Sequence, residues 1–306
     1  MSINNTAEQD ANETIKPCAA IKLIIRPGKK SLGGFSVRRS LPHPGQRLVG
    51  PWIFFDHAGP AEFGPGEGVD VRPHPHINLA TVTYFFEGAF VHRDSLGTTQ
   101  VIKPGDINLM VAGKGIVHSE RTPDDLRESG SKMHALQLWL ALPVADEEID
   151  PAFYHYPASD IPETRINGVP VRLMMGSAFG MTSPVKTFAE TLYFEATLAA
   201  GQTLELPDTA ERAVYVASGA VEIAETAVTD HCMAVLEPGS GLTVTATEDS
   251  RIALIGGENL GERHIEWNFV SSRKERIEQA KDDWQAGRFP VVPDDAEEFI
   301  PLPDPK

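Results

Sequence analysis

Two short stretches recur along the chain at nearly one spacing. "YFFEGAFV" at 84–91 is echoed by "YVASGAVE" at 215–222, and "VIKPGD" at 101–106 by "VLEPGS" at 235–240. The offsets are 131 residues from Gly88 to Gly219 and 134 from Gly105 to Gly239. Each match is short, but two landmarks at nearly one offset indicate an internal duplication, so one fold unit is expected twice. Length agrees, because 306 residues divide naturally into two domains of roughly 150.

Within the first copy, from Ile21 to Pro143, β-rich runs alternate with turn signals. "TVTYFFEG" (81–88) ends in a turn glycine, and "AFVHRDSLG" (89–97) runs to another. "VIKPGD", "INLMVAGKG", "GIVHSE" and "HALQLWLALP" (134–143) follow. Short strands with regular Gly and Pro punctuation predict an all-β sandwich or barrel. A charged, proline-rich stretch around 144–170, "VADEEIDPAFYHYPASDIPE", reads as the crossing between domains. Near the C-terminus a helix is expected. Ser272 and Glu275 form a capping-box pattern, Ile277, Ala280 and Trp284 fall on one face, and Gly287 lies past the end. The expected division is a disordered start (1–20), a first domain (21–145), a linker (146–170), a second domain (171–270), and a helix with an extended tail along a domain surface (271–306).

Two polar pairs interrupt the apolar strands. "RPHPH" at 72–76 carries His74 and His76; 42 residues after the second of these, "GIVHSE" carries His118 and Glu120. Residues i and i+2 of a strand face the same side, so each pair points one way. If the two strands adjoin, four side chains converge. Three imidazoles and a carboxylate suit Fe(II), Mn(II), Ni(II) or Zn(II). Four protein ligands on a six-coordinate ion leave positions open for water, O2 or substrate, which is the form of a catalytic site. A lone His-x-His or His-x-Glu is more often an ordinary surface or core pair, and it is the conjunction that points to metal. Burying all four without an ion costs several kcal/mol unless each finds a partner.

Charge and composition exclude other classes. The net charge is −16 and the pI about 5.0, with no lysine or arginine cluster in the sequence, so direct nucleic-acid binding is not expected. Two distant cysteines, Cys18 and Cys232, make no disulfide framework and fit a reducing compartment. The polar, acidic N-terminus has no apolar core of a signal peptide, and no apolar run approaches membrane-spanning length. A cytoplasmic location is expected.

The block from "RPHPHINLATVTYFFEG" to "GIVHSE" resembles the signature of the pirin family, a branch of the cupin superfamily. The resemblance extends through "GGFSVRRSLP" (33–42), "VGPWIFFDHAGP" (49–60) and "LQLWLALP" (136–143), and returns in "DWQAGRFP" and "EEFIPLP". It implies two tandem jelly-roll cupin barrels facing each other, with one metal, usually iron, in the N-terminal barrel. Carried over residue by residue, the ligands it implies are His74, His76, His118 and Glu120. Two positions depart from common patterns. Cupins often place a glutamate three or four residues after the second histidine, where this chain has Leu79 and Ala80, followed by Thr81. Asn78 stands where glycine is expected in pirins, and it would narrow the pocket or add a hydrogen bond there. Moving the ligand positions by the repeat offsets lands on Glu205, Pro207, Ile252 and Leu254, so the second barrel is expected to be metal-free.

The resemblance also implies activity. Pirins are associated with quercetin 2,3-dioxygenase activity, with a flavonol and O2 as substrates and Glu120 as the carboxylate able to take a proton. An alternative is a non-enzymatic, iron-redox-dependent regulator that grips a protein partner. Among the remaining residues, His57 would line the cavity mouth or support a ligand, or else be an ordinary turn histidine. His92 and Asp94 would lie near the open metal positions, or else in a solvated turn. His134 and Gln137 are expected behind the metal. Phe86 and Met110 read as core, the two cysteines as inert, and His155, His231 and His264 carry no pattern.

Overall fold

The computed structural model describes residues 18–31 and 35–304. Most of the expected disordered start, residues 1–17, lies outside the described residues. Two seven-stranded antiparallel sheets dominate. The first runs, in spatial order, Ala152–Tyr156, Ile107–Val111, Leu79–Glu87, Ser131–Ala141, Trp52–Phe63, Ser36–Leu41 and Lys29–Ser31. The second runs Ile21–Ile25, Met233–Leu236, Glu211–Ser218, Ser250–Gly257, Thr191–Leu198, Val169–Met175 and Glu163–Ile166.

Each large sheet is backed by a four-stranded one, which makes two jelly-roll cupin domains. The first small sheet is ordered Asp70–His76, Ile116–Arg121, Phe90–Asp94, Thr99–Ile102; the second is ordered Thr203–Glu205, Thr243–Ala246, Ala220–Ile223, Thr226–Thr229. Order and direction are the same strand for strand, which is the duplication seen in three dimensions.

The domains face each other through their large sheets. Trp52, Phe55, Tyr84 and Leu138 share one buried cluster with Leu23, Met174, Tyr193, Tyr215 and Ile255. Trp52 is fully buried, meets Tyr193 edge-on at 5.9 Å, and reaches the Leu192 and Gly256 carbonyls through Nε1 at 3.2 and 3.1 Å. A buried indole donor thus finds its acceptors in the opposite domain.

Three expectations need correction. Ile21–Ile25 does not open the first domain. It pairs with Met233–Leu236 and extends the second domain's sheet, since its buried isoleucines pack there. The stretch read as a linker contributes strands to both large sheets: Ala152–Tyr156 pairs with Ile107–Val111, and Glu163–Ile166 with Val169–Met175. The helix, Lys274–Gln285, has no capping box; Arg273 holds the N-cap position with no side-chain cap bond. Ser272 is drawn away instead, donating through Oγ and its backbone N–H to Glu147, each at 2.8 Å. Glu147 is itself buried against Arg263 at 3.1 Å, and a buried carboxylate is the stronger acceptor. Ile277 and Ala280 are buried beside Ile77 and Phe269 with Trp284 packed on them, and Gly287, φ +66°, ends the element. No helix among the described residues is long and apolar enough to cross a membrane.

Candidate metal centre

Asp70–His76 and Ile116–Arg121 are antiparallel neighbours, with His118 opposite His74 and Ile116 opposite His76. Strand alternation turns all three imidazoles to one side. Their donor atoms lie within 4.8 Å of one another, and ring centroids are 4.4 to 5.1 Å apart. All three rings are buried.

The hydrogen bonds fix the tautomers. His74 Nδ1 is 2.8 Å from the Arg72 carbonyl and His76 Nδ1 is 3.0 Å from the Asn268 carbonyl. A carbonyl only accepts, so each Nδ1 carries the proton and each Nε2 the lone pair. His118 Nδ1 faces His92 Nδ1 at 3.4 Å, while His92 Nε2 lies 3.0 Å from Asp94 Oδ2. With His92 donating to Asp94 through Nε2, its Nδ1 is the acceptor, and His118 donates from Nδ1. His118 Nε2 is then a lone pair, buried and without a partner. Three outward N–H bonds with three free inward nitrogens are the arrangement that orients histidines for metal.

Electrostatics agree. Burial, above all, pushes His74 down to about 4 and holds His76 and His118 well below the usual histidine range. At neutral pH all three are uncharged, the form in which imidazole binds a cation. The orphaned buried nitrogen and the all-imidazole trio fit a borderline divalent metal. The trio closes without Glu120, because a register shift after His118 sets Glu120 opposite Val71. Glu120 lines the same cavity, 3.4 Å from Thr83 Oγ1, and burial pushes its carboxyl up to about 7.

The cavity measures about 390 Å3. Phe54, Phe90, Met133, Trp139 and Trp267 give it an apolar wall, with Phe54 stacked on Trp139 at 3.9 Å. Arg39 and Asp56 form a two-bond ion pair at 2.8 and 2.7 Å in the same wall, and Arg39 lies 4.3 Å from the Phe54 ring centre.

Other expected residues fall in different places. Gln137 lines the cavity and accepts from Thr83 Oγ1 at 2.9 Å. His134, expected behind the metal, is instead bonded to His57 at 2.6 Å. His57 is neither a turn residue nor at the cavity mouth; it sits on the strand Trp52–Phe63, and its Nδ1 is 2.7 Å from the Tyr215 hydroxyl across the domain interface. His92 and Asp94 are buried behind His118, in no solvated turn, on its Nδ1 side and away from its unpartnered Nε2. Their own i, i+2 spacing was the signal. Asn78 stays out of the cavity. Its backbone is left-handed, φ 57°, and its amide donates to the Gly113 and Glu147 carbonyls, at 3.3 and 2.5 Å. Met110 is core as expected, while Phe86 is only half-buried.

One contributor had no sequence signal. Asp295, in the C-terminal tail, accepts from Ser119 Oγ at 2.6 Å and from Arg121 at 2.8 and 2.7 Å. Ser119 stands between the two candidate ligands on its strand. The backbone N–H of Ile300 donates to the Pro73 carbonyl at 2.8 Å, and Ile300 reaches the cavity wall. The tail therefore straps both strands that carry the histidines.

Residues 34–140 match the Pirin family, and residues 193–290 match the Pirin C-terminal cupin domain. The chain is 48% identical to a pirin-like protein of Caulobacter vibrioides, over 93% of this chain and all of the relative. It is 33% identical to human Pirin, over 85% of this chain and 90% of that one. A solved structure titled quercetin 2,3-dioxygenase from Acinetobacter baumannii superposes with a TM-score of 0.85 at 33% identity, covering 92% of this chain and 96% of the other.

Proposed function

This chain belongs to the pirin family, and from that premise we propose that it is a mononuclear, Fe(II)-dependent dioxygenase opening flavonols such as quercetin with O2. The observation that carries the reading is the trio of neutral, buried imidazoles, one with an unpartnered lone pair, facing an apolar cavity. The likeness to a solved protein titled quercetin 2,3-dioxygenase supports the same chemistry. His74, His76 and His118 would hold the ion, with Glu120 beside them in the cavity wall. The bound ion supplies Lewis acidity toward a chelating hydroxyl–carbonyl pair and a path for electrons to O2.

The chain's own residues do the rest. Phe54, Trp139 and Trp267 provide flat apolar surface for a planar polycycle and keep water from the reacting carbon. Glu120 takes the proton of the flavonol hydroxyl as it ionises. Thr83 Oγ1, which donates to Gln137 at 2.9 Å, stands 3.4 Å from the Glu120 carboxylate and packs beside it. The flavonol is itself the reductant, so no further electron donor is needed.

The test is absorbance loss of quercetin in air, with protein reconstituted in Fe(II) and run beside His76→Ala. Turnover that needs metal and vanishes in the variant is expected. Metal bound at one per chain with no turnover on any flavonol would overturn the enzymatic reading.

A further inference from the structure

A second cavity, about 580 Å3, lies between the domains and contains none of the metal-site residues. Tyr84, Phe86 and Gly105 line it from the first domain, and Arg172, Glu195 and Arg251 from the second. Arg172 crosses the gap and donates through Nη2 to the Gly105 and Ala158 carbonyls, at 3.3 and 3.1 Å. Gly105 makes room for it: its backbone has φ +87°, and a Cβ there would stand 2.9 Å from Arg172 Nη1. Arg172 Nε is buried with no hydrogen-bond acceptor, and its nearest carboxylate, the exposed Glu163, is 3.7 Å away. Arg251 lies over Phe86, 4.8 Å from the ring centre, and among the described residues no carboxylate bridges to it. Glu195 is buried beside the Tyr193 hydroxyl at 3.1 Å, and burial pushes its carboxyl up to about 7.

Spare guanidinium donors thus face one concave, partly aromatic space on a protein whose net charge is −16. Guanidinium matches a carboxylate or phosphate oxygen pair in shape and charge. The aromatic wall favours a carbon skeleton, and Glu195 with Glu163 disfavours a compact dianion. We propose that this interdomain cleft is a second ligand site, binding a small organic carboxylate through Arg172 and Arg251, with the ligand's skeleton on Phe86 and its polar end at Glu195. The site is independent of the metal chemistry, and a ligand in it touches both domains at once.

Isothermal titration of the metal-free, full-length protein tests this, since chelation then contributes no heat. The probes are the monocarboxylates lactate, 3-hydroxybutyrate and 4-hydroxybenzoate, with inorganic phosphate as a separate arm. Saturable one-to-one binding of at least one carboxylate is expected, with phosphate weaker. Arg251→Gln should weaken it at least tenfold, Arg251→Lys should fall between, and His118→Ala should leave it unchanged. Arg251 is only partly buried, and an unchanged melting temperature would show that its variants fold. No saturable carboxylate binding, phosphate binding more tightly, full affinity in Arg251→Gln, or loss in His118→Ala would each overturn the proposal.

Discussion

The two small sheets have the same strand order, yet one presents histidines and the other hydrocarbon. Where the first places His74, His76, His118 and Glu120, the equivalent strands of the second are Thr203–Glu205 and Thr243–Ala246. There Leu204 and Val244 are fully buried in a cluster with Leu206, Val221, Ile223 and Val228, which fills the sandwich. In the first domain the corresponding interior is a cavity walled by aromatic rings and closed by the tail. One β framework therefore serves two ends: filled with aliphatic side chains it is a stable support, and opened with polar donors it is a site. Chemistry lives in a few strand positions, not in the fold.

The comparison is broken most severely at the ligands. His76→Ala should reduce bound metal from one per chain to near zero and abolish turnover, while circular dichroism stays unchanged; elemental analysis of the purified variant reads this directly. In the filled copy the reverse is expected. Leu204→Ala should cost about 2–5 kcal/mol in denaturant unfolding, as large-to-small core changes do, and leave metal content untouched. Metal loss in that variant would mean the two interiors are coupled.

Acid should act through the interface that joins the copies. Burial first, then the neighbouring His134, pulls His57 down to about 2, and His134 itself lies at about 4. The folded state leaves His57 neutral while the unfolded chain protonates it below about 6.5, so the unfolded state binds more protons there. Its contribution to stability is complete above about 6.5 and is lost as pH falls toward the folded value. The expected slope is about 1.4 kcal/mol per pH unit from His57, with His134 adding in the same direction. Melting temperatures of the metal-free protein that stay flat between pH 7.5 and 5 would contradict this.

The smallest effect belongs to the strap. Asp295→Ala frees Ser119 and Arg121 without touching a ligand, and it should weaken metal about tenfold in a chelator competition. Asp295→Asn, which keeps one acceptor, should recover part of the loss. Equal affinity in all three proteins would reduce the tail to a cover.

What was legible in the sequence followed strand alternation. Spacing turned His74 and His76 to one side and His118 and Glu120 to one side; the pairing of Asp70–His76 with Ile116–Arg121 then brought the three imidazoles together. His92 and Asp94 obeyed the same rule, but "HRDSLG" carries turn residues that masked the strand Phe90–Asp94. The repeat offset served for Gly88 and Gly219, which lie between equivalent strands, and failed at the second landmark: Gly105 precedes Ile107–Val111, whereas Gly239 follows Met233–Leu236, the equivalent strand. The second offset also pointed to Ile252 and Leu254, which lie on Ser250–Gly257, the equivalent of Ser131–Ala141, whereas the counterpart of Ile116–Arg121 is Thr243–Ala246. Connections in the second copy are already shorter between Gly219 and Met233 than between Gly88 and Ile107, and a fixed offset cannot follow a change in loop length.

By itself the sequence determined the two β domains, the duplication and the side that each histidine pair faces, since each rests on patterns a few residues long or on self-similarity. Only the tertiary structure decided that Ile21–Ile25 joins the far sheet, that Arg172 and Arg251 meet in one cleft, and that Asp295 holds Ser119 across 176 residues. The physical reason is one of range. Backbone geometry dictates which neighbours share a face, but contacts between distant segments are selected by what each must bury and pair once the sheets have packed, and no local pattern records that choice.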